Sequence, residues 1–212
     1  MPQQDDTKEK LVEVAADLFW RNGYNPTGIA EILEAAGVLR GSLYYHFPTK
    51  EDLLIATLEW RLKMLWPEVI QPVVDRLDDP IERVFGIMDG YRQLLTMFEF
   101  RLGCPIGNLA LELDESHPRV RKLLSENFAN WSAAVRKLLD DAKGRFPTGT
   151  DMRELADFCL TVMEGAIMLA RTHRTVEFYD HAVTRLRDYF ERLLADGTNW
   201  ATPSRDAKAR PG

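Results

Sequence analysis

Two cysteines are all that this 212-residue chain carries, and they stand far apart, at Cys104 and Cys159. That spacing offers neither a metal-ligand pair nor a redox dithiol, and it fits a reducing compartment such as the cytoplasm. Histidine is also scarce: His46, His117, His173 and His181 fall in no ligand motif. There is no phosphate loop, no nucleophile elbow and no paired Glu-x-x-His pattern. The sequence therefore gives no support to an enzyme and no cofactor or metal to expect. No apolar run approaches the roughly 20 residues of a membrane span, and the polar, acidic opening MPQQDDTKEK does not fit a signal or transit peptide. No membrane association is expected. Positive charge is short as well. The formal net charge is −6, so nucleic-acid binding has to come from a local patch rather than a global field. Strand signals are absent too, with no sustained alternation and no hairpin turn between β-branched runs.

What is present is helical periodicity, in a chain whose 45% hydrophobic content can build a core. Leu11, Val14, Ala15, Leu18 and Phe19 recur at helical spacing, with Asp6 and Glu9 as a capping pair and Asn22-Gly23 as the stop. A second helix is expected over about 27–36, with Ile29, Ile32 and Leu33 inward and Gly37 supplying a left-handed turn. A third spans about Arg40 to His46. Pro48 then breaks the chain, and Thr49 with Asp52 caps a long fourth helix. Further on, Asp79 caps a helix with Pro80 at its first position and Glu82 reaching back. Its apolar face is Ile81, Val84, Phe85, Met88, Tyr91, Leu95 and Phe98. Helices over about 118–143, 151–172 and 177–195 complete an all-α protein. The organisation is a three-helix head (1–54), a larger helical body (55–196) and a Gly/Pro-rich tail (197–212) expected to be disordered.

Two short helices joined by a glycine turn form a helix-turn-helix. At 100° per residue, Leu43 and Phe47 share the buried side of the third helix. Gly41, Ser42 and Tyr45 point outward, Arg40 and Tyr44 lie on one flank, and His46 on the other. That outer face carries donors and aromatics and no carboxylate, as a DNA-reading face requires. Lys50, at a helix start, adds a cation, and Thr27 and Gly28 open a helix with free N–H groups. The alternative is a surface helix whose tyrosines half-bury their rings, which accounts for only one of two adjacent tyrosines. Residues 1–54 hold five Lys/Arg (8, 10, 21, 40, 50) against a larger number of Asp/Glu. A shallow salt dependence follows.

Residues 8–54 resemble the TetR family of bacterial transcriptional regulators: the Gly23-Tyr24 turn, AAGV and GSLYYHF-x-x-KE-x-LL stand in register. The resemblance implies a homodimeric DNA-binding repressor, released from double-stranded operator DNA by a small-molecule inducer. Carried over residue by residue, the DNA-facing set is Thr27, Gly28, Arg40, Gly41, Ser42, Tyr44, Tyr45, His46 and Lys50. Two positions depart from the family pattern. Gly28 stands where Ser or Thr is common, and Leu39 stands where a small capping residue is common. GCPIGNLALEL (103–113) and FANWSAAVRKLL (128–139) are similar to the branch grouped with LmrA and YxaF.

The resemblance also implies an apolar or aromatic inducer in the body. The ligand set is Met88, Tyr91, Phe98, Phe100, Cys104, Asn108, Trp131 and Met163, with Met64, Phe85 and Met168 as further candidates. Such stripes also suit plain core. Cys104, at a helix start, reads either as a thiol sensor of electrophiles or oxidants with a lowered pKa or as a small buried lining residue. Cys159 reads as core. Asn108, on the same helix face as Cys104, either orients a ligand or bonds locally. Leu155, Phe158, Val162, Ala166, Leu186 and Phe190 are the expected dimer interface, with Ala166, Ala170 and Gly165 permitting close helix approach. From another class, a helical carrier without DNA binding would suit the body but leaves 37–50 unexplained. The long fourth helix is expected to transmit inducer binding to the head.

Overall fold

The computed structural model describes residues 2–113 and 117–195, so the expected tail at 197–212 lies outside the described residues. Among the described residues ten α-helices follow one another: α1 Pro2–Asn22, α2 Ile29–Ala36, α3 Arg40–His46, α4 Lys50–Met64, α5 Gln71–Arg76, α6 Pro80–Met97, α7 Pro105–Glu112, α8 Pro118–Asp141, α9 Met152–His173 and α10 Glu177–Ala195. There is no strand among the described residues.

The helix ends follow local chemistry. Gly23 (φ 91°) and Gly37 (φ 63°) take the left-handed backbone that ends α1 and α2. Thr49 and Asp52 form a complete capping box, each side chain bonding the other's backbone N–H. Asp79 and Asp151 each accept two backbone N–H bonds at the starts of α6 and α9. Glu82 does not reach back as expected; it forms a two-point pair with Arg187 of α10 at 2.6 and 3.1 Å. Asp6 and Glu9 are not a cap either, because α1 already begins at Pro2.

The long fourth helix is interrupted. After Met64 the chain makes a π-helical turn, Leu65–Ile70, before α5. Pro67 offers no N–H and removes a rung of the ladder there. The Leu62 carbonyl nearby accepts a bond from Asn130 Nδ2 at 3.1 Å, and Asn127 does the same for Leu58 at 3.2 Å. The two asparagines thus fasten α8 along α4.

One continuous core runs through head and body. It extends from Leu11, Phe19, Ile32 and Leu43 through Leu54 and Leu58 of α4 to Val84, Val135 and Phe190. Helix α4 crosses the expected 54/55 boundary without a break. Arg92 and Asp180 form a two-point pair at 2.7 and 2.9 Å that, with Glu82–Arg187, holds α10 against α6.

The apolar residues of α9 and α10 split into two faces. Leu155, Ala166, Leu186 and Phe190, expected at the dimer interface, are buried inside the chain. Phe190 meets Phe85 and Phe146 edge-on, so these residues hold α10 in the core. The outward stripe on α9 is Phe158, Val162, Gly165 and Leu169, at spacings that share a helix face. Tyr189 of α10 meets Phe158 edge-on at 5.7 Å. Phe158 is 44% exposed and Leu169 40% exposed.

Candidate nucleic-acid interface and ligand cavity

Helix α3 is seven residues long, set between the Gly37 turn and Pro48. Leu43 and Phe47 anchor it in the core. Its other side is open: Tyr45 is 71% exposed and Tyr44 43%, Arg40 and Gly41 are exposed, and Ser42 and His46 are half-buried. The Arg40 guanidinium lies 6.0 Å from the Tyr44 ring, and Tyr45 meets His46 edge-on at 5.0 Å. The side chains of this face carry donors and no acid.

Leu39 occupies the N-cap of α3, makes no side-chain cap and is 81% exposed. Leu39→Ser is therefore expected to raise stability by about 1 kcal/mol, the usual worth of a hydroxyl cap. Urea unfolding checks this, and an unchanged midpoint contradicts it. Gly28 is likewise an N-cap without a side-chain bond, at the start of α2.

Two expected DNA contacts are engaged within the chain instead. Thr27 is fully buried, its hydroxyl donating to the carbonyls of Gly23 at 2.6 Å and Leu18 at 3.4 Å. It closes the α1–α2 turn. Lys50 turns inward: its Nζ donates to Tyr24 O at 2.5 Å and stands 4.3 Å from the Tyr24 ring centre. Desolvation lowers its pKa, against an opposing pull from Glu112.

Glu112 shows where head meets body. Its carboxylate accepts the backbone N–H groups of Tyr24 at 2.8 Å and Asn25 at 2.6 Å. A Cβ on Gly23 would stand 2.8 Å from the same carboxylate, so glycine both makes the turn and admits the acid. One helical turn back in the head, Trp20 Nε1 donates to Gly103 O at 2.7 Å, and the Trp20 ring meets Phe98 edge-on. Helix α1 therefore docks directly on the segment from Phe98 to Glu112, a second link beside α4.

Trp20 also borders a cavity of about 130 Å³ in the body. Tyr91, Cys104, Trp131 and Met163 line it, as does Met64. Asn108 faces a separate open groove of about 620 Å³ that also includes Cys104 and Met168. There it accepts from Arg171 Nη1 at 2.9 Å. Three expected ligand residues lie elsewhere. Met88 is fully buried core. Phe98 packs on Trp20 under Arg21. Phe100 sits in a left-handed turn (φ 58°) whose carbonyl accepts from Arg174. Phe85 packs against Phe190 and borders an outer groove between α6 and α10.

Two charged cavity residues go beyond the sequence reading. Arg61 continues the apolar stripe of Leu54 and Leu58, and Glu164 stands between Met163 and Ile167 on that of α9. A lone charge at a core-facing position was the available signal. Burial lowers the pKa of Arg61 and raises those of Tyr91 and Glu164.

Cys104 does start α7, with Sγ accepting from Gly107 N at 3.4 Å. The expected lowering of its pKa does not follow. Burial pushes the thiol well above its usual value, the neighbouring Glu164 adds to this, and the amides of Gly107 and Ile106 pull back less strongly. The buried thiol fits the lining alternative. Cys159 is core, its thiol pushed up to about 12 by burial.

Residues 11–57 match the model for bacterial regulatory proteins of the tetR family, and residues 80–186 match the tetracyclin repressor-like C-terminal domain. The chain belongs to the TetR family. This TetR-family chain is 29% identical over 176 residues to the uncharacterized HTH-type transcriptional regulator YxaF of Bacillus subtilis, covering 82% of this chain and 90% of that one. YxaF is one of the two names to which the 103–113 segment points. A TetR transcriptional regulator from Chloroflexus aurantiacus has a crystal structure with a TM-score of 0.77 at 30% identity, over 91% of this chain and 98% of that one. CifR, a TetR-family regulator solved as a cysteine mutant with 26-bp operator DNA, matches with a TM-score of 0.71 at 28% identity. That match covers 84% of this TetR-family chain and 94% of CifR. No helix among the described residues is long and apolar enough to cross a membrane.

Proposed function

We propose that this TetR-family regulator acts in the cytoplasm as a homodimeric repressor, with a head of residues 1–54 that holds double-stranded operator DNA through α3. A small, largely apolar inducer in the body (55–196) releases it. The observation that carries this reading is the outer face of α3, where Arg40, Gly41, Ser42, Tyr44, Tyr45 and His46 present donors around an aromatic centre with no carboxylate. Exposed tyrosines on a helix anchored by Leu43 and Phe47 suit a groove reader. Gly28 adds backbone N–H groups at the start of α2. The Leu39 side chain makes no cap and is exposed, which suits contact with a thymine methyl.

Two heads must lie about one duplex turn apart, ~34–36 Å, to occupy paired half-sites. The outward stripe of α9 and α10 supports the dimer that sets this spacing. Inducer binding in the cavity bordered by Trp20 shifts the population toward a dimer with wider heads. The change passes along α4 and through the α1–α7 contacts.

The test is selection of bound fragments from the source genome, followed by a screen for small molecules that release them. No specific retention of any fragment would overturn the DNA-binding assignment for this chain. On the selected operator, Tyr45→Phe is expected to weaken binding about fivefold, the worth of one lost hydrogen bond, with the melting temperature unchanged. Equal affinity in a titration would remove the Tyr45 hydroxyl from the reading face.

A further inference from the structure

The cavity bordered by α1, α4, α6, α7, α8 and α9 is apolar over most of its wall, yet it holds strong donors without acceptors. Trp131 is 4% exposed, and its Nε1–H is the one buried side-chain polar atom among the described residues that lacks a hydrogen-bond partner. The Tyr91 hydroxyl interacts with this indole N–H, short of a full hydrogen bond. Arg61 lines the same cavity from α4, its guanidinium held by ring faces, 5.8 Å from Trp20 and 5.0 Å from Trp60. It makes no hydrogen bond or ion pair among the described residues. Buried donors normally have partners, and a cation half withdrawn from water, as Arg61 is, favours an anion beside it.

The acids nearby do not fill that role. Glu68 is exposed at the cavity's edge. Asp17 is bonded to Arg21 at 2.7 Å. Glu164 is turned to the Cys104 thiol, and burial raises its pKa. The cavity, about 130 Å³, is close to an apolar cavity of about 150 Å³ that holds one benzene.

We propose that the inducer is a small organic anion, a monocarboxylate on a single ring or a short apolar chain. Its carboxylate is held by Arg61 and Trp131 Nε1, and Met64, Leu160 and Met163 enclose its apolar part. This rests on the reading of the cavity as the inducer site.

The test titrates the full-length protein, without DNA, with benzoate, benzyl alcohol and benzylamine. The three probes share one size and differ in charge, and tryptophan fluorescence and melting temperature report binding. Benzoate is expected to bind at least about tenfold more tightly than the other two, since hydrogen bonds to charged groups exceed neutral ones by that much. Arg61→Met is expected to remove the preference while benzyl alcohol binding persists. Arg61→Lys keeps part of it, and Trp131→Phe weakens benzoate severalfold. Benzyl alcohol or benzylamine binding the unaltered protein as tightly as benzoate would overturn the proposal without recourse to any variant. So would an Arg61→Met protein that folds and keeps the preference. If none of the probes binds, the cavity reading and the proposal fall together. If benzoate binds preferentially but, in a second titration of the operator complex, leaves that complex intact, the anion site stands and the inducer role of the cavity fails.

Discussion

Phe158→Glu is expected to leave the fold intact, convert the protein to a monomer and weaken operator binding by roughly 10²–10⁴-fold, the gain that linked sites ordinarily confer. Phe158 is 44% exposed and touches Tyr189 at the edge of its ring, so the chain's own core does not depend on it. On the stripe with Val162, Gly165 and Leu169 it forms an apolar surface that the described residues leave open beyond the Tyr189 edge. A Cβ on Gly165 would meet nothing within 4 Å, which leaves room for another helix to approach. Two glutamates facing each other across a two-fold axis would repel and lose their water. Sedimentation at micromolar concentration and operator titration measure the two effects. A variant that stays dimeric removes this face from the interface, and a monomer with full operator affinity removes paired half-site binding.

Glu112→Ala is expected to lower unfolding stability by about 2 kcal/mol, since hydrogen bonds to a charged group are worth ~1.5–3 kcal/mol and this carboxylate, partly solvated, accepts two. The amides of Tyr24 and Asn25 lose their acceptor, and the α1–α2 turn loses its hold on α7. Urea unfolding checks the first effect. The second is functional: inducer should relieve operator binding less in the variant than in the parent protein, because the α1–α7 contact is weakened to the Trp20 bond alone. Glu112→Gln keeps an acceptor oxygen and should recover part of both. Unchanged induction in a folded Glu112→Ala protein would leave α4 as the working connection.

The sequence was most informative where structure is set locally. The helix from Arg40 to His46 lies between a glycine turn and a proline, so its angular pattern needs no tertiary information, and Leu43 and Phe47 face inward as the spacing requires. The Thr49–Asp52 cap is equally local. The cavity is not. Met88 and Tyr91 lie three residues apart on one apolar face, yet Met88 is packed in the core and Tyr91 borders the cavity. Which of them finds space depends on where α8 and α9 cross, and no periodicity encodes that. The dimer residues are obscured in a similar way. Helix α9 is apolar on both the side that meets its own chain and the side that faces out, so Leu155 and Phe158 look alike until the fold separates them. Thr27 and Lys50 fit a phosphate-contact pattern by residue type. Only the tertiary placement of the Gly23–Asn25 turn reveals that both are spent holding it.

The position of Lys50 has a kinetic consequence. Its ammonium is committed to the Tyr24 carbonyl and ring, and Arg21 is paired with Asp17. Neither is free to reach for a phosphate, and acids outnumber the five Lys/Arg of residues 1–54, so encounter with DNA gains little from long-range attraction. Capture then proceeds at the unsteered rate, on the order of 10⁵–10⁶ M⁻¹s⁻¹. Tight repression under those conditions comes from a long dwell on the correct site, and the speed of a switch is set by how quickly that dwell can be ended.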